Sequence, residues 1–381
     1  MPVTYGFLST YPPTQCGLAT FNAALAGHLT GGAPGSGVVR LLDADAADGG
    51  GLAIDRAAPR VVHTWPTGTP GGWTAAANAL NRFDVAIVQH EYGIYPGADG
   101  DEVLPLLRAL RVPTIVVLHT VLTTPSPSQR SVLERIVAAA DAVVTMTDTA
   151  RQRLTGGYRV DPRKVTVIPH GAASHTSVPR ERHDVPHLLT WGLLGPGKGI
   201  EWALRALAHL PEPVYTVAGR THPKVLEHHG DVYRDSLKAL AAELGVAERV
   251  RWEDVYLDET ALSRLIRSAD VVVLPYDSTE QVTSGVLIEA VGAGVPVVAT
   301  EFPHAVELLA DGPGILVPHQ DPEAMAAAIR HLVQAPDVTG HLTGLAGGPT
   351  LRWPAVAHRY QSLAARLLAA RTPVAVASVP A

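Results

Sequence analysis

The feature that most constrains this chain is an alternation: short apolar runs of strand length recur between segments with helical spacing. Asp84 to Gln89 (DVAIVQ) and Thr114 to His119 (TIVVLH) read as buried strands, and Asp101 to Arg111 between them has the leucine spacing of a helix. Ala142 to Met146 and Val165 to Ile168 supply two more strands. Strands that are apolar on both faces and separated by helices predict a parallel sheet covered by helices on both sides. In such a sheet, ligands sit at the carboxyl ends of the strands.

The polar stretch Pro169 to Pro186, with three prolines, separates this series from a second one. The second series starts at His187 to Gly192 and continues through Val214 to Gly219, Arg249 to Trp252, Val271 to Pro275 and Val295 to Thr300. Helical segments lie between, notably Glu201 to His209, Val232 to Leu244 and Pro322 to Val333. The expected organisation is two Rossmann-like domains in tandem, over residues 1–178 and 179–352, followed by a helix over 353–370 and a flexible tail over 371–381. Residues 31–60, rich in Gly, Ala and Asp, carry no readable element.

Composition narrows the partners. With 46% hydrophobic and 17% charged residues the chain can fill two cores, which argues against disorder. A net charge of -6 does not suit a nucleic-acid partner. Cys16 is the only cysteine, which excludes an intrachain disulfide and a zinc site built on several thiolates. Met1 to Phe7 lacks a signal-peptide pattern, and Pro113 and His119 interrupt the best apolar run. The expectation is a soluble cytoplasmic protein.

Four stretches could carry chemistry. Ser9 to Phe21 (STYPPTQCGLATF) is a loop leading into a helix near Leu18, where Gly17 would serve either an anion at the helix start or a tight turn. Cys16 in this loop reads as a small filler. Gln89 to Tyr92 (QHEY) ends one strand and His119 ends the next; either histidine, His90 or His119, could exchange protons or hydrogen-bond sugar hydroxyls. Gly192 to Gly199 (GLLGPGKG) puts glycines and one cation at a helix start without the Ser or Thr of a Walker loop. The chain has only four lysines against 26 arginines, so Lys198 reads as a selected compact ammonium facing phosphate. Last, Glu280 to Thr300 (EQVTSGVLIEAVGAGVPVVAT) places Ser284 as an N-cap, with the N–H groups of Gly285 and Val286 at the helix start. Glu289 follows about one turn later, where a carboxylate can accept two hydrogen bonds from a ribose diol or needs another partner if buried.

These residues resemble a known family. GLLGPGKGIE at 192–201, AGRTHP at 218–223 and TSGVLIEAVGAGVPVVAT at 283–300 are similar to the retaining GT-B glycosyltransferases of the family-4 (group 1) type. The resemblance extends over nearly the whole chain. It implies an α/β GT-B fold, with two Rossmann-like domains whose parallel sheets face each other across a cleft. The N-terminal domain would bind the acceptor, the C-terminal domain the nucleotide-sugar, and the helix over 353–370 would pack back on the N-terminal domain.

Residue by residue, the resemblance gives Lys198 the donor diphosphate, with Arg220 able to assist. Ser284, Gly285 and Val286 would meet the distal phosphate, Glu289 the donor ribose, Gly17 the N-terminal glycine loop, and His119 the transferred sugar. His90, Glu91 and Tyr92 would face the acceptor. Two positions depart from the pattern. The first acid of the paired-glutamate motif falls on Gln281, with Glu280 one place out of register, and the arginine five residues before the lysine is Leu193.

The implied activity is transfer of a hexosyl unit, with retention, from an NDP-sugar to a hydroxyl on a small-molecule or lipid-linked acceptor. Lys198, Gln281 and His119 would be catalytic, and no metal or other cofactor is expected. No transmembrane segment is expected, peripheral membrane contact is left open, and the oligomeric state is not specified. A GT-B nucleotide-sugar epimerase using His90 and Glu91, and a non-catalytic sugar-nucleotide-binding partner, are the alternatives. Nucleobase, sugar and acceptor are not encoded in any motif read here.

Overall fold

The computed structural model describes residues 2–42, 58–69, 71–175, 178–181, 183–310, 312–334 and 349–371. The chain divides into two compact units, Met1–Pro169 with Trp353–Ala381, and His170–Arg352.

In the first unit the strands are β1 (Tyr5–Ser9), β2 (Gly37–Leu42), β3 (Arg60–Pro66), β4 (Val85–His90), β5 (Thr114–Leu118), β6 (Ala142–Thr145) and β7 (Val165–Val167). The helices are α1 (Gly17–Thr30), α2 (Trp73–Leu80), α3 (Val103–Ala109), α4 (Pro127–Ala139) and α5 (Asp148–Gly157). The second unit holds β8 (His187–Trp191), β9 (Val214–Ala218), β10 (Val250–Glu253), β11 (Val271–Leu274), β12 (Val297–Thr300) and β13 (Gly314–Val317). Its helices are α6 (Ile200–Ala208), α7 (Pro223–His229), α8 (Val232–Glu243), α9 (Glu259–Ser268), α10 (Gly285–Gly292), α11 (Pro303–Leu309) and α12 (Pro322–Gln334). The helix α13 (Trp353–Arg371) returns to the first unit.

Each unit is a doubly wound sheet. The strand orders are β3-β2-β1-β4-β5-β6-β7 and β10-β9-β8-β11-β12-β13, and every pair is parallel. The central strands β1, β4, β5, β8, β11 and β12 are buried along their whole length, as strands covered on both faces must be. The order reverses between β1 and β4 in one unit and between β8 and β11 in the other. At such a switch point the loops leaving two neighbouring strands diverge and open a binding crevice.

Local chemistry fixes the helix ends. Ser126 and Gln129 form a reciprocal capping box on α4, with Pro127 as its first residue. Thr147 and Asp258 cap α5 and α9 through side-chain oxygens. The cores are separate. Phe7, Phe21, Leu25, Ile87, Val117 and Val144 pack with Val356 and Tyr360 of α13 in the first unit. In the second, one face of the sheet gathers Leu188, Ile200, Val217 and Ile329, and the other Leu189, Leu274, Leu287 and Phe302.

The unit boundary falls after Pro169 rather than at residue 178. The reason is local: Ala172 donates its N–H to Leu351 at 2.7 Å and bridges Arg352, so residues 170–175 are already held by the second unit. Of residues 31–60, which carried no readable element, Gly37–Leu42 forms β2, while 43–57 lie outside the described residues. Of the expected tail 371–381, only Arg371 is described; it ends α13 and pairs with Asp141 at 2.9 Å.

Candidate active site

Apart from Gly17, the donor-side candidates lie in the second unit, on the loops leaving β8, β9 and β11 and on α10. The loop from Gly192 to Gly199 rests on the segment that follows β11. Asp277 donates its N–H to Gly197 at 3.0 Å, and Trp202 Nε1 donates to the Asp277 carboxylate at 3.0 Å. Gly199 is required here: its φ is +64°, and any Cβ would collide with the carbonyl oxygen of Pro275.

Lys198 is half-buried, with Nζ 4.4 Å from the centre of the buried Tyr276 ring. The ring face gives a favourable cation–π contact. Among the described residues, however, no carboxylate pairs with this ammonium. Burial accordingly draws its pKa below the usual lysine value.

The neighbouring loop is fixed by a buried guanidinium. Arg234, 3% exposed, donates Nη2 to the Gly219 carbonyl and pairs with Asp254 at 3.0 Å. The Gly192–Gly199 loop is laced to it, with Leu194 N–H donating to the Arg220 carbonyl at 2.8 Å and His222 N–H to the Leu194 carbonyl at 2.7 Å. The Arg220 side chain itself is exposed.

After β11 the chain runs through Gln281 to Ser284, which caps α10 by accepting from Leu287 N–H. The N–H groups of Gly285 and Val286 therefore stand at the first turn, where a helix has orphan donors and a partial positive charge. Gln281 Nε2 donates to the Thr283 carbonyl at 3.2 Å. Glu289 is tied down within its own unit. Ala173 N–H approaches both of its carboxylate oxygens, at 3.1 and 3.3 Å, and His175 Nε2 lies 2.8 Å from Oε2. Ser263 Oγ completes the chain at 2.9 Å from His175 Nδ1. The partner that a buried acid needs is thus His175, and the Glu289 side chain remains 19% exposed.

The first unit holds a separate polar group. Gln89 is fully buried; its Oε1 lies 2.9 Å from His119 Nε2 and its Nε2 is 3.4 Å from Asn22 Oδ1. His119 also meets the Phe21 ring edge-on at 4.9 Å. Glu91 accepts from the Thr120 hydroxyl at 2.5 Å and from Tyr92 N–H at 2.9 Å. Tyr92 is mostly buried, its hydroxyl donating to the Gln129 carbonyl at 3.4 Å. His90 departs from expectation. It is fully buried, packed edge-on to Tyr92, and burial pushes it down to about 4. Its ring lies on the opposite face of β4 from Gln89, because successive strand residues alternate, and Gln89 has the face that leads to His119.

Gly17 opens α1 with Cys16 as its N-cap, Sγ accepting from Ala19 N–H at 3.4 Å. Cys16 is thus a cap as well as a filler. Gly17 has no left-handed φ, is exposed, and a Cβ there would meet nothing within 4 Å. The turn itself therefore does not demand glycine. The sequence missed His175, His304, Arg234 and the Tyr276 ring; the strand-end rule reaches Tyr276, but nothing in the local pattern singles out the others.

Among the described residues no group of three His, Cys, Asp or Glu is placed to hold a metal ion, and no helix is long and apolar enough to cross a membrane.

Two doubly wound parallel sheets in one chain, each with its polar loops at a switch point, define a protein of the GT-B class. Residues 185–335 match the family described as glycosyl transferases group 1, and residues 38–174 match glycosyltransferase family 4. The chain belongs to this family, the family-4 (group 1) glycosyltransferases.

It is 29% identical over 242 residues to D-inositol 3-phosphate glycosyltransferase of Mycolicibacterium gilvum, covering 60% of this chain and 53% of that protein. The chain therefore spans about half the length of the curated relatives it matches. The fold is shared with Anabaena HepE in complex with UDP and glucose, at TM-score 0.73 and 16% identity, covering 95% of this chain and 100% of HepE. It is shared also with sucrose-phosphate synthase of Thermosynechococcus elongatus, at TM-score 0.72 and 18% identity, covering 96% and 100%.

Proposed function

We propose that this protein transfers a hexosyl unit from an NDP-sugar to an acceptor hydroxyl with retention of anomeric configuration. The observation that carries the reading is Lys198, a half-buried ammonium on a glycine loop with no carboxylate partner among the described residues. An unpaired buried charge is costly unless a ligand supplies the counter-charge, and a diphosphate beside this loop would do so.

Cleaving the glycosidic bond leaves a nucleoside diphosphate carrying new negative charge. Lys198 and the N–H groups of Gly285 and Val286 are the groups that would stabilise it, and Arg220 would add a cation from its exposed position. Glu289, held by Ala173 and His175, keeps lone pairs for the ribose hydroxyls. His119, oriented by Gln89, would bind the transferred sugar, and Gln281 would stand near its ring. With this charge stabilisation supplied by the protein, the proposal includes no metal or other cofactor.

The acceptor is proposed to be a small molecule or lipid-linked; the relatives' name makes an inositol phosphate the first one to try. The epimerase alternative is less favoured, because His90 is buried and the Glu91 oxygens already accept from Thr120 and Tyr92.

Incubating NDP-sugars with and without acceptors tests the reading. Free diphosphate should appear only with acceptor, the product should keep the donor's anomeric configuration by NMR, and a chelator should not slow the reaction. An altered sugar nucleotide without acceptor would mean an epimerase, and no change with any donor would mean a binding protein.

A further inference from the structure

His304 has a place at this site that its sequence position does not announce. It is the second residue of α11, 4% exposed, and it touches the Gln281–Ser284 loop twice. Its backbone N–H donates to the Gln281 carbonyl at 3.2 Å, and its Nδ1 accepts from the Ser284 N–H at 2.8 Å. Ser284 is itself 3% exposed, so this N–H has no access to water in place of the ring. The Gln281–Ser284 segment that leads into α10 is therefore pinned at both ends by one residue from another helix.

We infer that His304 is a positioning residue for the donor: its side chain fixes the backbone at Ser284, and with it the direction of the Gly285 and Val286 N–H groups toward the diphosphate. The inference rests on the reading that this loop meets the donor. The bond works only if Nδ1 carries a lone pair, which requires the neutral ring protonated on Nε2. Burial, and secondarily the nearby His170, push His304 down to about 3, so this form persists through the physiological range. His170 lines the same place; a Cβ on Gly285 would lie 3.1 Å from its Nε2. A shift of the loop would thus alter the first turn of α10 directly. Orienting groups of this kind act through geometry rather than contact with the substrate.

Three substitutions separate this role from simple packing. His304→Asn places an amide oxygen close to where Nδ1 stands and should bind nucleoside diphosphate within about threefold of the wild-type protein. His304→Leu fills the space without an acceptor, and His304→Gln reaches past the Nδ1 position. Both should weaken diphosphate binding roughly ten- to a hundredfold, the effect of leaving one buried donor unmade. The donor KM should rise in the same order while the acceptor KM stays level.

Calorimetry with UDP, GDP, ADP and dTDP gives the affinities. Leu binding as tightly as wild type, or Asn binding as poorly as Leu, would overturn the inference. Nitrogen NMR of the unmodified protein gives a check that does not depend on any variant folding. His304 should show Nε2 protonated and Nδ1 bare down to about pH 5, and the opposite tautomer would also overturn it. If the wild-type protein binds none of the four diphosphates, the donor reading fails instead, and the tautomer still decides whether His304 holds Ser284.

Discussion

Lys198 and Gly17 make opposite kinds of claim on a single residue. The Lys198 ammonium is disfavoured by desolvation, so its folded-state pKa is lowered. The charged form is present below that pKa and lost as pH rises through it. Diphosphate affinity should therefore decline with rising pH, and the decline should begin below about 10.4, where an ordinary lysine titrates. Titration calorimetry across this range checks it, and Lys198→Arg should flatten the profile, since arginine stays charged. Lys198→Ala should cost about 10²–10³-fold in kcat with the fold intact. Gly17 has room for a methyl group and no unusual φ. Gly17→Ala should stabilise the protein by about 0.4–1 kcal/mol, because alanine loses less backbone freedom on folding, yet lower kcat/KM at least roughly tenfold if a ligand passes there. A gain in Tm with unchanged kinetics would remove Gly17 from the site.

At the scale of elements, α10 carries two separable roles. Glu289→Ala should weaken the plain diphosphate and the sugar nucleotide alike, by about 1.5–3 kcal/mol for a charged hydrogen bond. It should also lower stability by about 1–3 kcal/mol, since Ala173 N–H and His175 lose their acceptor. Gln281→Ala should weaken only the sugar nucleotide or its turnover; equal losses for both ligands would move the motif's first position to Glu280. Strands β4 to β12 were legible because apolar runs buried on two faces have few alternatives: Val271 to Pro275 and Thr114 to His119 differ from the observed β11 and β5 by one terminal residue each, whereas β2, β3 and β13 were not read. The candidate loops were legible because glycines and caps mark strand-to-helix turns. The Glu289–His175–Ser263 chain was not. It joins residues 114 and 88 positions apart, and such pairing depends on how a connecting segment folds back, which no periodicity records. His90 misled for a related reason: a strand end says that a residue is near a crevice, while the alternation of the strand decides whether its ring turns toward it.

For the molecule as a whole, two separate cores predict a divided response to ligand. Hydrogen exchange with saturating nucleoside diphosphate should show added protection at the Gly192–Gly199 loop and the start of α10. Little change is expected under α1, where the core is built from Phe21, Leu25 and α13. At 100 times its dissociation constant the ligand should add about 2.7 kcal/mol. Protection centred on the first unit would relocate the nucleotide site.

The route of the chain has a consequence for synthesis on the ribosome. Domains usually complete themselves in the order in which they are translated. Here the first unit lacks α13, with Trp353 against Phe21 at 5.3 Å, until every residue of the second has been made. The second unit, closed by Ala172 against Leu351 and Arg352, can finish earlier although it starts later. Nascent chains arrested with Arg352 just outside the exit tunnel should therefore resist protease at the strands β8 to β13 of the second unit and be cut at the strands of the first. Exposure of about twenty more residues, enough to release α13, should then protect the beginning of the protein last.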